Sequence, residues 1–233
     1  NKTNIMMKKI SVLTLYPEFI SAFNSFGPIA RLEKKKLLNV NIINLREYGL
    51  GKQKQVDDKP YGGGDGMVLR AEPIVNVIEK GNFSRIIYTS PAGKKWTHSD
   101  AKKYSTYEGH VLIICGHFSG IDQRIIDNYV DEEISIGDFV LSGGEVPALL
   151  LVDSIIRLIP GALGNTESAH YDSFAPGFSG KLEHPLYTRP ETFRGKSVPP
   201  VLLSGNHQHI EQWKQNKSIE KTNNHRKDLL PKI

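Results

Sequence analysis

Only one of the 233 residues is a cysteine, Cys115. A disulfide needs two thiols and a cysteine-built zinc site needs more, so both are excluded and a reducing compartment is expected. No apolar run approaches the roughly 20 residues that cross a bilayer as a helix. The opening, NKTNIMMKKI, lacks the apolar stretch of a signal peptide, so a cytoplasmic protein is expected, with Met6 or Met7 as its natural start. The eight histidines do not complete a metal site: His207 and His209 are two apart, and no cysteine or acid is spaced to join them. Neither G-x-G-x-x-G nor G-x-x-x-x-G-K-[ST] can be laid on the chain, which removes the usual cradles for a dinucleotide or a triphosphate.

Charge is present but unevenly placed. The net charge is +5; residues 181–233 hold ten Lys/Arg and five Asp/Glu, while residues 1–180 hold twenty of each. The whole excess therefore lies in the last quarter, as expected for contact with a polyanion, the competing reading being a solubilising tail.

The segments KISVLTLY, LNVNIINL, RIIYTS, HVLIICG and EEISIG are short and rich in β-branched residues. Most are continuously apolar, which predicts strands buried on both faces of a parallel sheet. Helices are predicted at PEFISAFNSF, AEPIVNVIEKG, THSDAKKYSTYEG, IDQRIIDNY and EVPALLLVDSIIRLI. Strand and helix alternate to about residue 160, which gives an α/β domain over 1–160. Residues 161–180, rich in Gly, Ser and Pro, read as a flexible linker. A basic C-terminal domain over 181–233 follows, irregular and proline-punctuated at first, then one or two short helices.

Glycines cluster after three of the predicted strands, in SPAG (Ser90–Gly93), CGHFSG (Cys115–Gly120) and IGDFVLSGG (Ile136–Gly144). Ligands of open α/β sheets bind beyond the carboxyl ends of strands, so the three loops together predict one pocket lined by backbone groups. Each alone is also explained as a tight turn. Asp172 is an isolated acid of the DSFAPG stretch in the linker. Arg157 lies inside an apolar, mostly buried helix and asks for an anionic partner, which Asp153 four residues earlier would supply. KPYGGGDGM (Lys59–Met67) is either a loop near RNA or a plain connection.

Taken together, DDKPYGGGDGM, SPAGKK, CGHFSGID, DEEISIGDFVLSGGEVPAL, DSIIRLIPG, DSFAPG, HPLYTRPE and VPPVLLSGNHQHIEQW resemble one family, the bacterial tRNA (guanine-N1)-methyltransferases of the TrmD type, in the SPOUT superfamily. The motifs run in order along nearly the whole chain. The resemblance implies a parallel-sheet domain with a deep C-terminal trefoil knot and a small, mainly α-helical C-terminal domain. It implies S-adenosylmethionine as cofactor, tRNA as partner, and a homodimer with the active site at the interface, with no membrane partner. The product would be guanosine methylated at N1, immediately 3′ of the anticodon.

By the same resemblance, Pro91, Gly116, Ile136, Gly137, Asp138, Phe139, Val140 and Leu141 would line the cofactor, and Gly143, Gly144 and Pro147 would shape the turn around it. Asp172 would take the proton from guanine N1, and Arg157 would offset charge developing on O6. Lys59, Tyr61, Gly62, His184, Arg189, Asn206, Lys214, Lys217, Lys221 and Arg226 would meet tRNA. One motif departs from the family. Where Cys-Gly-Arg-Tyr-Glu-Gly is usual, this chain has His117, Phe118 and Ser119. Mg2+, which the family associates with that glutamate, is thereby called into question, because Ser119 cannot supply its charge. Two other readings stand beside the enzyme: a binding module that keeps cofactor or RNA without turnover, motivated by CGHFSG, and an ordinary doubly wound nucleotide-dependent enzyme, which the missing phosphate motifs disfavour.

Overall fold

A computed structural model describes residues 7–25, 27–163 and 168–230. The chain forms two compact units, 1–162 and 163–233. In the first, β1 (Lys8–Thr14) leads through α1 (Pro17–Asn24) and α2 (Gly27–Lys34) to β2 (Leu38–Asn44). The two-residue strands β3 (Asp57–Asp58) and β4 (Val68–Leu69) pair antiparallel around the glycine-dense stretch. Then come α3 (Ala71–Lys80), β5 (Arg85–Lys95), α4 (His98–Thr106), β6 (His110–Cys115), α5 (Gln123–Tyr129), β7 (Glu132–Ser135) and α6 (Glu145–Ile156).

The main sheet has the order β2-β1-β6-β5-β7, and every pairing is parallel. β6 and the first part of β5 are apolar at successive positions because both faces of the sheet are covered there. Val111, Ile113 and Cys115 of β6 face one core with Ile10, Val12 and α6 residues such as Leu151 and Ile155. Leu112 and Ile114 face a second core with Leu13, Ile86 and α3 residues such as Ile74 and Val77. Period-two side chains thus fill two cores from one strand.

The structure changes three details of the sequence reading. β5 does not stop at Ser90: it continues to Lys95, with a register shift between Thr89 and Lys94. Pro91 lies inside that shift, where no ladder hydrogen bond is required of it. The helix α2 has no counterpart among the predicted elements. It buries only Ile29 and Leu32, too short a periodic signal to register. The C-terminal segment holds α7 (Pro200–Leu203) and one long helix, α8 (His207–His225), rather than short helices only.

In the second unit a hairpin pairs β8 (Thr192–Phe193) with β9 (Lys196–Ser197). Residues 168–180, expected as flexible linker, are folded into this unit. Ala175 and Phe178 are buried. Gln215 of α8 donates its side-chain amide to the Gly177 carbonyl at 3.3 Å, and Ser218 donates its hydroxyl to the Leu182 carbonyl at 2.6 Å. Glycine and serine content marked a connection; Phe178, buried against Tyr171 and His184, and the hydrogen bond from Gln215 made it a packed segment.

Candidate functional site

Because β6, β5 and β7 are adjacent and parallel, the loops beyond their carboxyl ends meet on one side of the sheet. A cavity of about 290 Å³ lies there, bounded by residues of all three loops. Pro91, Gly116, Ile136, Gly137, Phe139, Val140, Leu141, Gly143, Gly144 and Pro147 line it. Asp138 does not: it is exposed and pairs with Lys95 at 2.7 Å. Its place within IGDFVL predicts a wall position, but the chain bends through 136–139 and carries this carboxylate out to Lys95.

The wall has a definite chemistry. It contains apolar surface from Ile134, Ile136, Phe139, Val140 and Leu141, hydroxyls of Thr89, Ser90, Ser119 and Ser142, and no Lys, Arg, Asp or Glu. A triphosphate would leave its charges without cations here. A flat heterocycle with a short polar chain meets the surface it needs. Tyr88, at the back, is buried, and burial pushes its hydroxyl above the usual tyrosine range, so it stays protonated. Cys115 is wholly buried, and burial raises its thiol well above the usual range, with the charge of Glu145 adding to the effect. That thiol is therefore no nucleophile.

Behind the cleft lies a polar cluster absent from the sequence expectations. His117 Nε2 stands 2.7 Å from Glu145 Oε2, with side-chain exposures of 10% and 9%. Thr14 donates its hydroxyl to Glu145 Oε1 at 2.6 Å. The Tyr16 N–H donates to the Thr14 hydroxyl at 2.9 Å, and the Tyr16 ring meets His117 edge-on at 5.1 Å. The only linear hint is an acid directly after SGG at a helix start.

The glycine-dense stretch is fastened to the same loops. The Ser119 N–H donates to the Met67 carbonyl at 2.9 Å and the Leu69 N–H to the Gly120 carbonyl at 3.0 Å. Lys59 and Gly62 are exposed on it, and Tyr61 projects wholly into solvent at 102% exposure. Among the described residues, no group of three or more His, Cys, Asp or Glu is placed to hold a metal ion.

Arg157 caps the C-terminus of α6 and is exposed rather than buried in its apolar helix. It ends an exposed row of Val146, Leu150 and Asp153, opposite the buried face. α1, which packs against α6, exposes Phe19 and Phe23, with exposed Tyr16 just before its start. Asp172, in the second unit, is half-buried, and its carbonyl accepts the Ala175 N–H at 3.2 Å.

The second unit corrects one of the RNA-contact expectations. His184 is buried: Nδ1 lies 2.8 Å from the Pro185 carbonyl oxygen, and its ring sits between Phe178 and Trp213 at 5.5 and 6.0 Å. It is a core residue, because these aromatic neighbours exclude solvent. Asn206 is the N-cap of α8, its side chain accepting the His209 N–H at 3.2 Å. Arg189 is exposed. Lys214, Lys217 and Lys221 are half-exposed along one side of α8, and exposed Arg226 follows its end, where it pairs with Asp228 and lies over the Phe174 ring.

Comparison with known proteins gives one consistent answer. The family model described as tRNA (Guanine-1)-methyltransferase TrmD matches residues 7–232. A tRNA (guanine-N(1)-)-methyltransferase of Ruminiclostridium cellulolyticum is 46% identical over 230 residues, covering 97% of both chains. One from Staphylococcus epidermidis is 46% identical over 225 residues, 95% of this chain and 90% of that one. One from Geobacter sulfurreducens is 45% identical over 228 residues, 96% of this chain and 91% of that one.

Proposed function

We infer the chemistry of this site from one premise: the chain belongs to the tRNA (Guanine-1)-methyltransferase TrmD family. It is a tRNA (guanine-N1)-methyltransferase, an enzyme. The cleft beyond β5, β6 and β7 is proposed to bind S-adenosylmethionine, and the target is proposed to be the guanosine immediately 3′ of the anticodon. The observation that carries the cofactor reading is the cleft wall, apolar and hydroxyl-bearing with no charged side chain except His117 if protonated. An adenine ring and a methionine chain suit that surface; a phosphate group does not.

When bound, S-adenosylmethionine would supply an electrophilic methyl carbon, to which guanine N1 would bond as the carbon–sulfur bond breaks and the sulfur leaves as a neutral thioether. The protein's part is orientation and proton transfer. Phe139, Val140 and Leu141 would exclude water from the cleft, and Pro91 and Pro147 would stiffen its edges. Guanine N1 carries a proton and is a poor nucleophile while it does. Asp172 is proposed to accept that proton as the methyl group arrives. Arg157 is proposed to offset the charge that develops on O6. The close approach of Gly144 to Cys115 and Gly116 supports a knotted crossing at this point.

Exposed Tyr16, Phe19 and Phe23 at α1 with Val146 and Leu150 on α6 support a homodimer through this face, which would complete the active site. Lys59, Tyr61, Arg189, Lys214, Lys217, Lys221 and Arg226 are proposed to grip tRNA, mainly through phosphates. Gly62 would let the loop bearing Tyr61 turn against it. Among the described residues no helix is long and apolar enough to cross a membrane, and a cytoplasmic site of action is proposed, where tRNA is the substrate.

The test is methyl transfer from labelled S-adenosylmethionine to two tRNA transcripts, one with guanosine at the target and at the preceding position, one with adenosine at the target. Label only on the first is expected. Cofactor binding with label on neither would favour the binding-module reading. Binding of ATP or NAD in place of S-adenosylmethionine would favour the nucleotide-dependent enzyme.

A further inference from the structure

We propose that His117 and Glu145 form a positioning pair that sets the shape of the cofactor cleft. The proposal rests on the reading of that cleft as an S-adenosylmethionine site. His117 belongs to the cleft wall, while Glu145 lies behind it. The pair therefore acts on the ligand through the wall and not by touching the reacting atoms.

Three chain segments converge on it. Glu145 is the first residue of α6, with one oxygen 2.7 Å from His117 Nε2 and the other accepting the Thr14 hydroxyl at 2.6 Å. Thr14 ends β1, His117 follows β6, and Glu145 follows the cleft loop 136–144. The backbone repeats the connection: His117 and Gly143 form an isolated antiparallel bridge, and the Gly144 N–H donates to the Gly116 carbonyl at 2.8 Å. Gly143 is glycine for the same reason. A Cβ there would stand 2.7 Å from both Glu145 Oε2 and His117 Nε2.

Burial makes the pair consequential. A carboxylate out of water is costly unless its oxygens are hydrogen-bonded. Each oxygen of Glu145 has one side-chain partner, and the positive end of the α6 dipole adds to them. Removing the imidazole leaves one oxygen to find a substitute. The nearest adjustment is movement of the loop carrying Gly143 and Gly144, which is cleft wall. The predicted consequence is loss of cofactor affinity with the catalytic step largely intact.

The experiment measures S-adenosylmethionine affinity by calorimetry, together with kcat, both KM values and thermal stability, for His117→Ala, His117→Gln and Thr14→Val. In the Ala variant the cofactor Kd and KM should rise about tenfold or more, while kcat at saturating cofactor and KM for tRNA change less than about threefold. The glutamine amide can donate to Glu145 from nearly the same place, so His117→Gln should recover most of the affinity. Thr14→Val should raise Kd several-fold without entering the cleft. A Kd within about twofold of the parent in folded His117→Ala would overturn the proposal. So would His117→Gln weakening binding as much as Ala at equal thermal stability. If His117→Ala does not fold, His117→Gln and Thr14→Val decide, and unchanged affinity in both overturns the proposal. Failure of the unsubstituted chain to bind S-adenosylmethionine would instead overturn the functional reading.

Discussion

Gly144 donates its backbone N–H to the Gly116 carbonyl at 2.8 Å, and a Cβ on Gly144 would lie 2.6 Å from the Cys115 Cα. The loop after β6 and the start of α6 are thus in backbone contact, with no space for a side chain between them. Gly144→Ala must separate them. The expected cost is about 2 kcal/mol or more of stability, in the range of overpacked cores, with cofactor binding falling at least about tenfold. Urea unfolding and calorimetry check both. A variant as stable as its parent would mean that the contact is not maintained in solution.

Asp172 is the proposed base, so Asp172→Asn removes proton acceptance while keeping size and most hydrogen bonds. Turnover should fall by about 10²–10⁴-fold, the usual contribution of a general base, with S-adenosylmethionine affinity within a factor of about two. Single-turnover kinetics with saturating tRNA separates the chemical step from binding. Unchanged turnover would remove Asp172 from the reaction.

Lys8 couples stability to alkaline pH. It is 8% exposed at the start of β1 and donates to the carbonyls of Tyr104 and Tyr107 at the end of α4. Burial lowers its ammonium from 10.5 to about 8, opposed by the nearby charge of Glu108. Below about pH 8 both folded and unfolded chains carry the proton. Between about 8 and 10.5 the unfolded chain keeps it and the folded chain sheds it, so the Lys8 contribution to stability rises with pH across that window, by of order 1–3 kcal/mol. Lys8→Met should flatten this part of the stability profile in urea titrations at about pH 7.5, 9 and 10.5. Parallel profiles for the two chains would contradict the assignment.

Lys214, Lys217 and Lys221 stand along one side of α8, with Arg226 just beyond its end. Changing all four to Ala should weaken tRNA binding and reduce the slope of log Kd against log salt by up to about 0.7–0.9 for each phosphate that is no longer neutralised. Arg226 already pairs with Asp228 and Lys217 with Glu220, so their single substitutions should have smaller effects than those at Lys214 and Lys221. An unaltered slope would make the basic excess a solubilising feature.

Local pattern was enough for the elements that bury themselves. β6 is apolar at successive positions because the sheet is covered on both sides, and α6 is apolar around most of its circumference. The glycines at 116, 143 and 144 marked the cleft, because backbone can approach backbone only where Cβ is absent. The basic excess of residues 181–233 was a matter of counting.

Other features exist only once distant residues meet. His184 reads as a polar RNA-facing residue until Phe178 and Trp213 enclose it. Asp138 lies within a cleft-forming stretch, yet the path of the loop turns it out to Lys95. Residues 168–180 read as a connection until α8 supplies a partner for the Gly177 carbonyl. Thr14 and Glu145 are 131 positions apart; they meet because β1 and β6 are parallel neighbours and the Gly144 N–H fastens the start of α6 to Gly116 in the loop after β6. Burial on both sheet faces and the need for glycine at close approaches are written residue by residue, so the sequence alone determined the layers and the place of the cleft. Which polar groups share a buried hydrogen bond depends on strand order, and that was decided only by the tertiary structure.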